Sequence, residues 1–174
     1  MIAMFEAFCV TSPKDLVNDL VNWRVPVLAG ATPNLVIKRF RALGVPVECS
    51  SEDFDKVVMK NSRDPKSGSY VVSFRRAREA PKAYRNFSGN QLADQKIDSI
   101  TLLERLLLGF GFFFTMGKHL DTKSWTLCAG SERSGGGIPG VHWGEDAYSR
   151  KMYVHWYDPN RANSIIGTRA VVSS

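Results

Sequence analysis

The stretch from Ser99 to Gly117 constrains the fold more than any other part of the chain, because apolar side chains cover most of its helical circumference. Its leucine and phenylalanine residues recur three and four positions apart, which is the spacing of an α-helix. A helix that is apolar nearly all round is buried rather than half-exposed. We therefore predict a central core helix with apolar positions at Leu102, Leu103, Leu106, Leu107, Leu108, Phe110, Phe112, Phe113 and Phe114.

Both ends of this helix carry signals of their own. Thr101 and Glu104 are three residues apart, as in a capping box, in which the two side chains accept hydrogen bonds from backbone N–H groups of the first turn. Gly117 suits the position that follows the last helical residue. The charge-free run from Leu106 to Met116 is shorter than the ~20 residues that span a membrane, so we expect no membrane contact. Docking of this helix onto a protein partner is the alternative.

The first half of the chain, residues 1–88, mixes short strands with helices. Ser12-Pro13 and Thr32-Pro33 both match a helix start, with a hydroxyl N-cap followed by proline at the first helical position. The alternation of elements is typical of a small α/β or α+β unit. The predicted elements are a strand at 2–10, helices at 13–23 and 32–44, a strand at 45–49, a helix capped by Ser51 and a strand at 69–74.

The second half, residues 89–174, begins with a short helix and the core helix and continues as strands. The best hairpin candidate joins Val141–Trp143 to Lys151–Tyr157. A strand at Trp125–Ala129 and a last short strand at Thr168–Val172 complete an antiparallel sheet. We therefore predict the α+β class: a mixed N-terminal half, then a buried helix packed on a C-terminal antiparallel sheet. The two halves form separate domains or one continuous domain.

Composition suits one globular domain or two small ones, since 44% of the 174 residues are hydrophobic. Cys9, Cys49 and Cys128 are widely spaced and odd in number, so they predict no disulfide framework. The N-terminal residues lack the basic region of a secretory signal. These features predict a cytoplasmic protein, and we found no motif for a cofactor or a metal ion.

A basic segment from Phe74 to Phe87 is the best candidate for a binding site. Lys and Arg total 23 against 17 for Asp and Glu, and the formal net charge is +6, a balance that favours acidic partners such as nucleic acid. Guanidinium groups pair with phosphates and aromatic faces stack on unpaired bases. The alternative is an ordinary solvated edge of the fold. The predicted nucleic-acid-binding residues are Arg75, Arg76, Arg78, Lys82, Tyr84 and Arg85.

The helix at residues 32–44 offers a second nucleic-acid hypothesis. Lys38, Arg39 and Arg41 follow its start, as in the recognition helix of a helix-turn-helix protein. The predicted helix at 13–23 would be its partner. The connection between them is longer than a tight turn requires, and basic residues on the outer face of an amphipathic helix are common.

The C-terminal sheet offers a different class of function. His142 and His155 fall on the two strands of the predicted hairpin, and Cys128 lies on a neighbouring strand. If the strand register brings these three side chains together, they could form the active site of a small enzyme or bind zinc as three ligands. The sequence lacks the ligand spacing that is typical of a zinc site. The many aromatic residues nearby suit a protein-interaction surface instead.

The order of short motifs after residue 100 resembles a group of small uncharacterised bacterial proteins. The motifs are TLLERLLL, TMGKHLD, TLCAGS, IPGVHW, MYVHWYDP and TRAVVS, in that order. The resemblance implies a free-standing bacterial protein. It carries no activity, ligand or catalytic residue that could be assigned to this chain.

Overall fold

The computed structural model describes residues 21–146 and 149–172, and these form an α+β fold. The predicted strand at 2–10 lies outside the described residues, as does most of the predicted helix at 13–23. That helix does not extend to Trp23, which belongs to a strand. The helices are α1 (Pro33–Ala42), α2 (Phe54–Val57), α3 (Gly89–Asp94) and α4 (Leu102–Met116). The strands are β1 (Asn22–Val27), β2 (Val47–Cys49), β3 (Val58–Asn61), β4 (Tyr70–Arg75), β5 (Trp125–Leu127), β6 (Ser131–Arg133), β7 (Ile138–Asp146), β8 (Ser149–Tyr157) and β9 (Ile166–Gly167).

Helix α4 is the predicted core helix, and both of its predicted end signals are confirmed. It is buried from Leu102 to Gly111 except at the half-buried Leu107, but its last turns are not buried as predicted, since Phe114 is 51% exposed. Thr101 accepts from the backbone N–H of Glu104, and the Glu104 carboxylate accepts from the backbone N–H of Thr101. Gly117 ends the helix in the left-handed conformation, with φ of 60°. Among the described residues, no helix is both long enough and apolar enough to cross a bilayer.

The main sheet has five strands in the order β2-β8-β7-β5-β9. The predicted hairpin is confirmed as the antiparallel pair β7–β8, and β5 adds to it antiparallel. The edge strands β2 and β9 both join parallel to their neighbours, so the sheet is mixed. The last strand lies at Ile166–Gly167 and not at the predicted 168–172, where Ala170 and Val171 make only isolated bridges.

Two short ribbons complete the fold: β1 pairs antiparallel with β4, and β3 with β6. The helix predicted to start at Ser51 is the four-residue α2, and its N-cap is Asp53, whose side chain accepts from the backbone N–H of Lys56. A cap two residues later than expected leaves room for a single turn before β3 begins.

The main core lies between α4 and the inner face of the five-stranded sheet. Residues from both predicted halves contribute to it, including Val27 of β1, Phe40 of α1 and Val154 of β8. Because side chains alternate along a strand, the neighbouring residues of β7 and β8 face outward. A smaller apolar cluster around Leu92 and Tyr157 covers part of that outer face.

Candidate nucleic-acid interface and other sites

The basic segment runs from the end of β4 into a 3-10 turn at Lys82–Tyr84, and this path separates its cations. Arg75 and Arg76 are both exposed but lie on opposite sides of the strand end. Arg76 borders a small cleft with Trp23 and Met116, beside the last turns of α4. Lys82 is exposed on the 3-10 turn. The segment is therefore not one continuous basic patch.

Two of the predicted residues are engaged in holding the fold. The Arg78 Nε donates to the His119 carbonyl at 3.0 Å, and its Nη2 lies 3.3 Å from Glu145 Oε1. The Arg85 Nε donates to the Ala80 carbonyl at 2.8 Å. A guanidinium already paired in this way has fewer donors left for a phosphate.

A cation that sequence inspection missed lies beside Arg75. In the β1–β4 register Asn22 faces Arg75 and Arg24 faces Ser73. Arg24 and Arg75 are therefore diagonal neighbours on one face of the ribbon, and both are exposed. We call this outward surface the basic ribbon face, and it consists of Asn22, Arg24, Pro26, Val71, Ser73 and Arg75. It carries two arginines and no acidic side chain.

Helix α1 does not form a helix-turn-helix with a described neighbour. The element immediately before it is strand β1, and its apolar residues pack toward α4, with the Phe40 and Phe110 rings 5.2 Å apart. Arg41 donates to the Val47 carbonyl at 3.1 Å and so covers part of the β2 edge. Lys38 is exposed on the outer side of the helix.

The outer face of the main sheet carries a stack of aromatic rings. The His142 ring stacks between Trp125, at 4.1 Å between centroids, and Tyr153, at 4.7 Å. Tyr157 meets Trp125 edge-on at 5.4 Å, and the Lys151 ammonium lies 5.3 Å from the centre of the Tyr153 ring. His142 therefore has an aromatic ring against each of its two faces.

His142 and His155 lie on this same outer face. Burial lowers the pKa of His142 to about 4, with a further contribution from the nearby His155. The Nε2 of His155 lies 3.5 Å from Glu48 Oε1, and Glu48 also pairs with Lys151 at 2.6 Å. The hydrogen bond from Lys151 is the main cause that holds the pKa of Glu48 below its ordinary value.

Cys128 does not join the two histidines. It belongs to the core between α4 and the inner face of the sheet, whereas His142 and His155 face outward. Burial raises the pKa of the Cys128 thiol, which keeps it protonated and unreactive. Within residues 21–146 and 149–172 no three His, Cys, Asp or Glu side chains are grouped to hold a metal ion.

A buried charge cluster lies beneath the basic segment. Asp121 is fully buried and accepts from Arg105 Nε at 2.9 Å and from Arg169 Nη2 at 2.6 Å. Burial alone would raise the pKa of Asp121, but Arg169 and Arg105 outweigh it and the pKa is lowered. Arg169 also donates to the carbonyls of Ala77 and Arg78, so the cluster anchors the backbone of the basic segment.

A second buried acid anchors the loop before β4. Arg63 contacts both carboxylate oxygens of Glu104, at 2.7 and 3.0 Å, and the Tyr70 hydroxyl donates to Glu104 at 3.0 Å. Glu104 therefore has a tertiary role beyond its capping box. Neither cluster was predicted, although charged residues inside an apolar helix are the signal that could have indicated both.

Comparison of the chain with protein-family models, curated proteins and solved structures gave no match.

The basic ribbon face differs from the other candidate surfaces in what its charged groups contact. Arg24 and Arg75 project from an ordered ribbon whose inner face is buried. The outer face of the main sheet, by contrast, pairs its cation Lys151 with Glu48. Of these surfaces, the basic ribbon face has the stronger uncompensated positive charge.

Proposed function

We propose that this protein binds nucleic acid through the basic ribbon face. The observation that carries the proposal is the register of β1 and β4, which brings Arg24 beside Arg75 on an exposed surface without an acid. Arg76 and Lys82 are also exposed, but they lie away from this face and are not part of the proposed interface. This proposal replaces a linear binding segment by a surface built from two strands that are distant in sequence.

The charge of the surface supports this class of ligand. Lysine and arginine side chains bind phosphates by releasing condensed counterions, and this contribution does not depend on base sequence. The formal net charge of +6 adds a long-range attraction that speeds encounter with a polyanion. Arginine suits the contact because its planar donors can bind two phosphate oxygens together.

The structural roles of Arg78 and Arg85 explain why we leave them out of the interface. Each donates to a backbone carbonyl that helps fix the segment. Their removal would disturb the fold as well as any contact with a ligand. A clean test therefore uses Arg24 and Arg75, which are exposed and lie on a ribbon held by its buried inner face.

The test is fluorescence anisotropy with labelled oligonucleotides over a range of salt concentrations. We expect wild-type affinity to fall steeply with salt, and the variant Arg24→Ala/Arg75→Ala to have a slope smaller by about two, one for each lost phosphate contact. The matched control is Lys60→Ala, which removes an exposed cation from the other ribbon, where Lys60 lies 3.6 Å from Glu132. Absence of binding at low salt would refute the proposal.

We also propose a cytoplasmic location. Cys49 and Cys128 both carry free thiols, as is usual in a reducing compartment. Burial raises the pKa of both thiols, so neither is activated as a nucleophile. Fractionation of cells that express the tagged protein tests the location, and recovery from a secreted fraction would contradict it.

A further inference from the structure

The basic ribbon face offers no aromatic ring to a ligand. Its six side chains are Asn22, Arg24, Pro26, Val71, Ser73 and Arg75. The two strands do contain Trp23 and Phe74, but these point into the core and are 8% and 0% exposed. Tyr70 is half-buried and its hydroxyl donates to Glu104. The ribbon therefore places its rings inside and its cations outside.

The rings expected to stack on unpaired bases are not presented beside this face. Phe87 packs against the smaller apolar cluster around Leu92. Tyr84 is half-buried in the 3-10 turn, and its carbonyl accepts from the backbone N–H of Thr168. On the main sheet, Trp125 and Tyr153 already stack on the two faces of His142. None of these rings combines an open face with a position on the basic ribbon face.

A surface with exposed cations and no exposed rings distinguishes between single-stranded and double-stranded nucleic acid. Single strands gain affinity when their bases stack on aromatic side chains, whereas the bases of a duplex are already stacked on one another. A duplex also carries the denser phosphate charge, and each contact with it releases more counterion than the same contact with a single strand. The basic ribbon face can therefore gain affinity from the denser phosphate charge of a duplex, but it cannot gain affinity by stacking on unpaired bases.

We infer that the ligand of the basic ribbon face is double-stranded nucleic acid, bound through its phosphates. This inference rests on the proposed function and names its ligand class. Arg24 and Arg75 supply the charged contacts from the two paired strands. Ser73, opposite Arg24 and two residues before Arg75, adds a neutral hydroxyl of the kind that contacts phosphate. On the edge of β4 that faces away from β1, the backbone N–H of Val172 donates to the Ser73 carbonyl, and this bond helps to fix the position of β4.

The inference is tested by competition between a duplex and a single strand of the same sequence, each about 20 nucleotides long, enough to span several phosphate contacts. At about 50 mM salt we expect the duplex to bind at least about fivefold more tightly, with the steeper salt dependence. The variant Arg24→Ala/Arg75→Ala should weaken duplex binding by about tenfold or more and leave little preference between the two ligands. Lys60→Ala should keep the wild-type preference.

The outcomes separate this inference from the function on which it rests. Equal or tighter binding of the single strand, lost in Arg24→Ala/Arg75→Ala, would overturn the duplex assignment and leave nucleic-acid binding by this face intact. Binding of neither ligand at low salt would overturn both. Duplex binding that the double variant leaves unchanged would also overturn both, because the contacts would then lie elsewhere on the molecule.

Discussion

Asp121 shows how much of this fold depends on single buried charges. It has no exposed surface and a positive φ of 55°, and it bridges Arg105 of α4 to Arg169 near the C-terminus. Thr126 also donates to it from β5. One carboxylate thus ties together a helix, a sheet strand and the C-terminal segment.

We predict that Asp121→Asn destabilises the protein by about 3–5 kcal/mol, because it leaves two buried guanidinium groups without their counter-charge. Asparagine tolerates the left-handed backbone that Asp121 adopts, so the change tests the charge rather than the conformation. Urea unfolding followed by far-UV circular dichroism measures the loss.

The matched control for this prediction is Glu145→Gln, which removes a carboxylate charge from an exposed pair with Arg78. Surface ion pairs contribute about 0–1 kcal/mol, so the control should stay near wild-type stability. A loss below about 1 kcal/mol in Asp121→Asn would show that the buried cluster does not hold the fold together.

At this scale the sequence allowed some roles to be predicted and others not. Thr101 and Glu104 act locally, three residues apart, and their capping roles were predicted. The partners of Arg105 and the position of Arg24 depend on segments far apart in the chain. Arg24 lies beside Arg75 only because of a strand register that no local pattern contains.

At the scale of elements, the stack of aromatic rings on the outer face connects three strands of the main sheet. Trp125 of β5, His142 of β7 and Tyr153 of β8 stack in sequence across the sheet. A neutral imidazole fits this position, because burial disfavours the charged form. On the inner side, His119 stacks against Trp143 with ring centroids 3.5 Å apart, and burial lowers its pKa to about 4 as well.

We predict that His142→Phe reduces the loss of stability between pH 7 and pH 5. The pKa of His142 lies at about 4 in the folded protein, below its ordinary value of 6.5. Between these values the unfolded chain takes up a proton that the folded protein does not, so acid favours unfolding. Phenylalanine keeps a ring in the stack, and it removes the proton that the unfolded chain takes up at His142.

The measurement is the urea midpoint at both pH values for the wild type and the variant. His119 contributes with the same sign, so part of the pH dependence should remain in His142→Phe. The control Tyr157→Phe alters a neighbouring ring without removing an imidazole and should keep the wild-type dependence. An unchanged pH dependence in His142→Phe would show that this ring titrates alike in both states.

Local sequence signals predicted the long elements well and the short ones poorly. The cap residues defined α4, and alternating side chains defined the β7–β8 hairpin. Strand β9 has only two residues, and α2 has four, so neither has a periodic pattern of its own. The parallel pairing of β2 with β8 is a tertiary contact, and it made the predicted antiparallel sheet a mixed one.

For the whole molecule, the main core is shared between the two predicted halves. Val25, Phe40 and Phe54 from the first half belong to the same apolar cluster as Leu106 and Val141 from the second. Strand β2 also occupies an edge of the main sheet. The second half alone would expose much of this apolar surface.

We predict that the intact chain unfolds in one cooperative transition and that a fragment of residues 89–174 does not fold by itself. Loss of β1 and α1 would uncover one side of α4, loss of β2 would uncover an edge of the main sheet, and buried apolar surface is the main source of stability. Tryptophan fluorescence and far-UV circular dichroism should give coincident urea transitions for the intact chain. A folded fragment, or two separate transitions, would instead indicate two independent domains.

The pairing of β2 with β8 also bears on how the chain reaches its folded state during synthesis. Ser50 and Val154, which are hydrogen-bonded at the end of this pair, are 104 positions apart in the chain. The ribosome must therefore add these 104 positions after Ser50 before β2 acquires its partner. Contacts this distant in sequence slow folding. The first half emerges with apolar residues still awaiting the second, and in that interval a chaperone would have its best opportunity to bind.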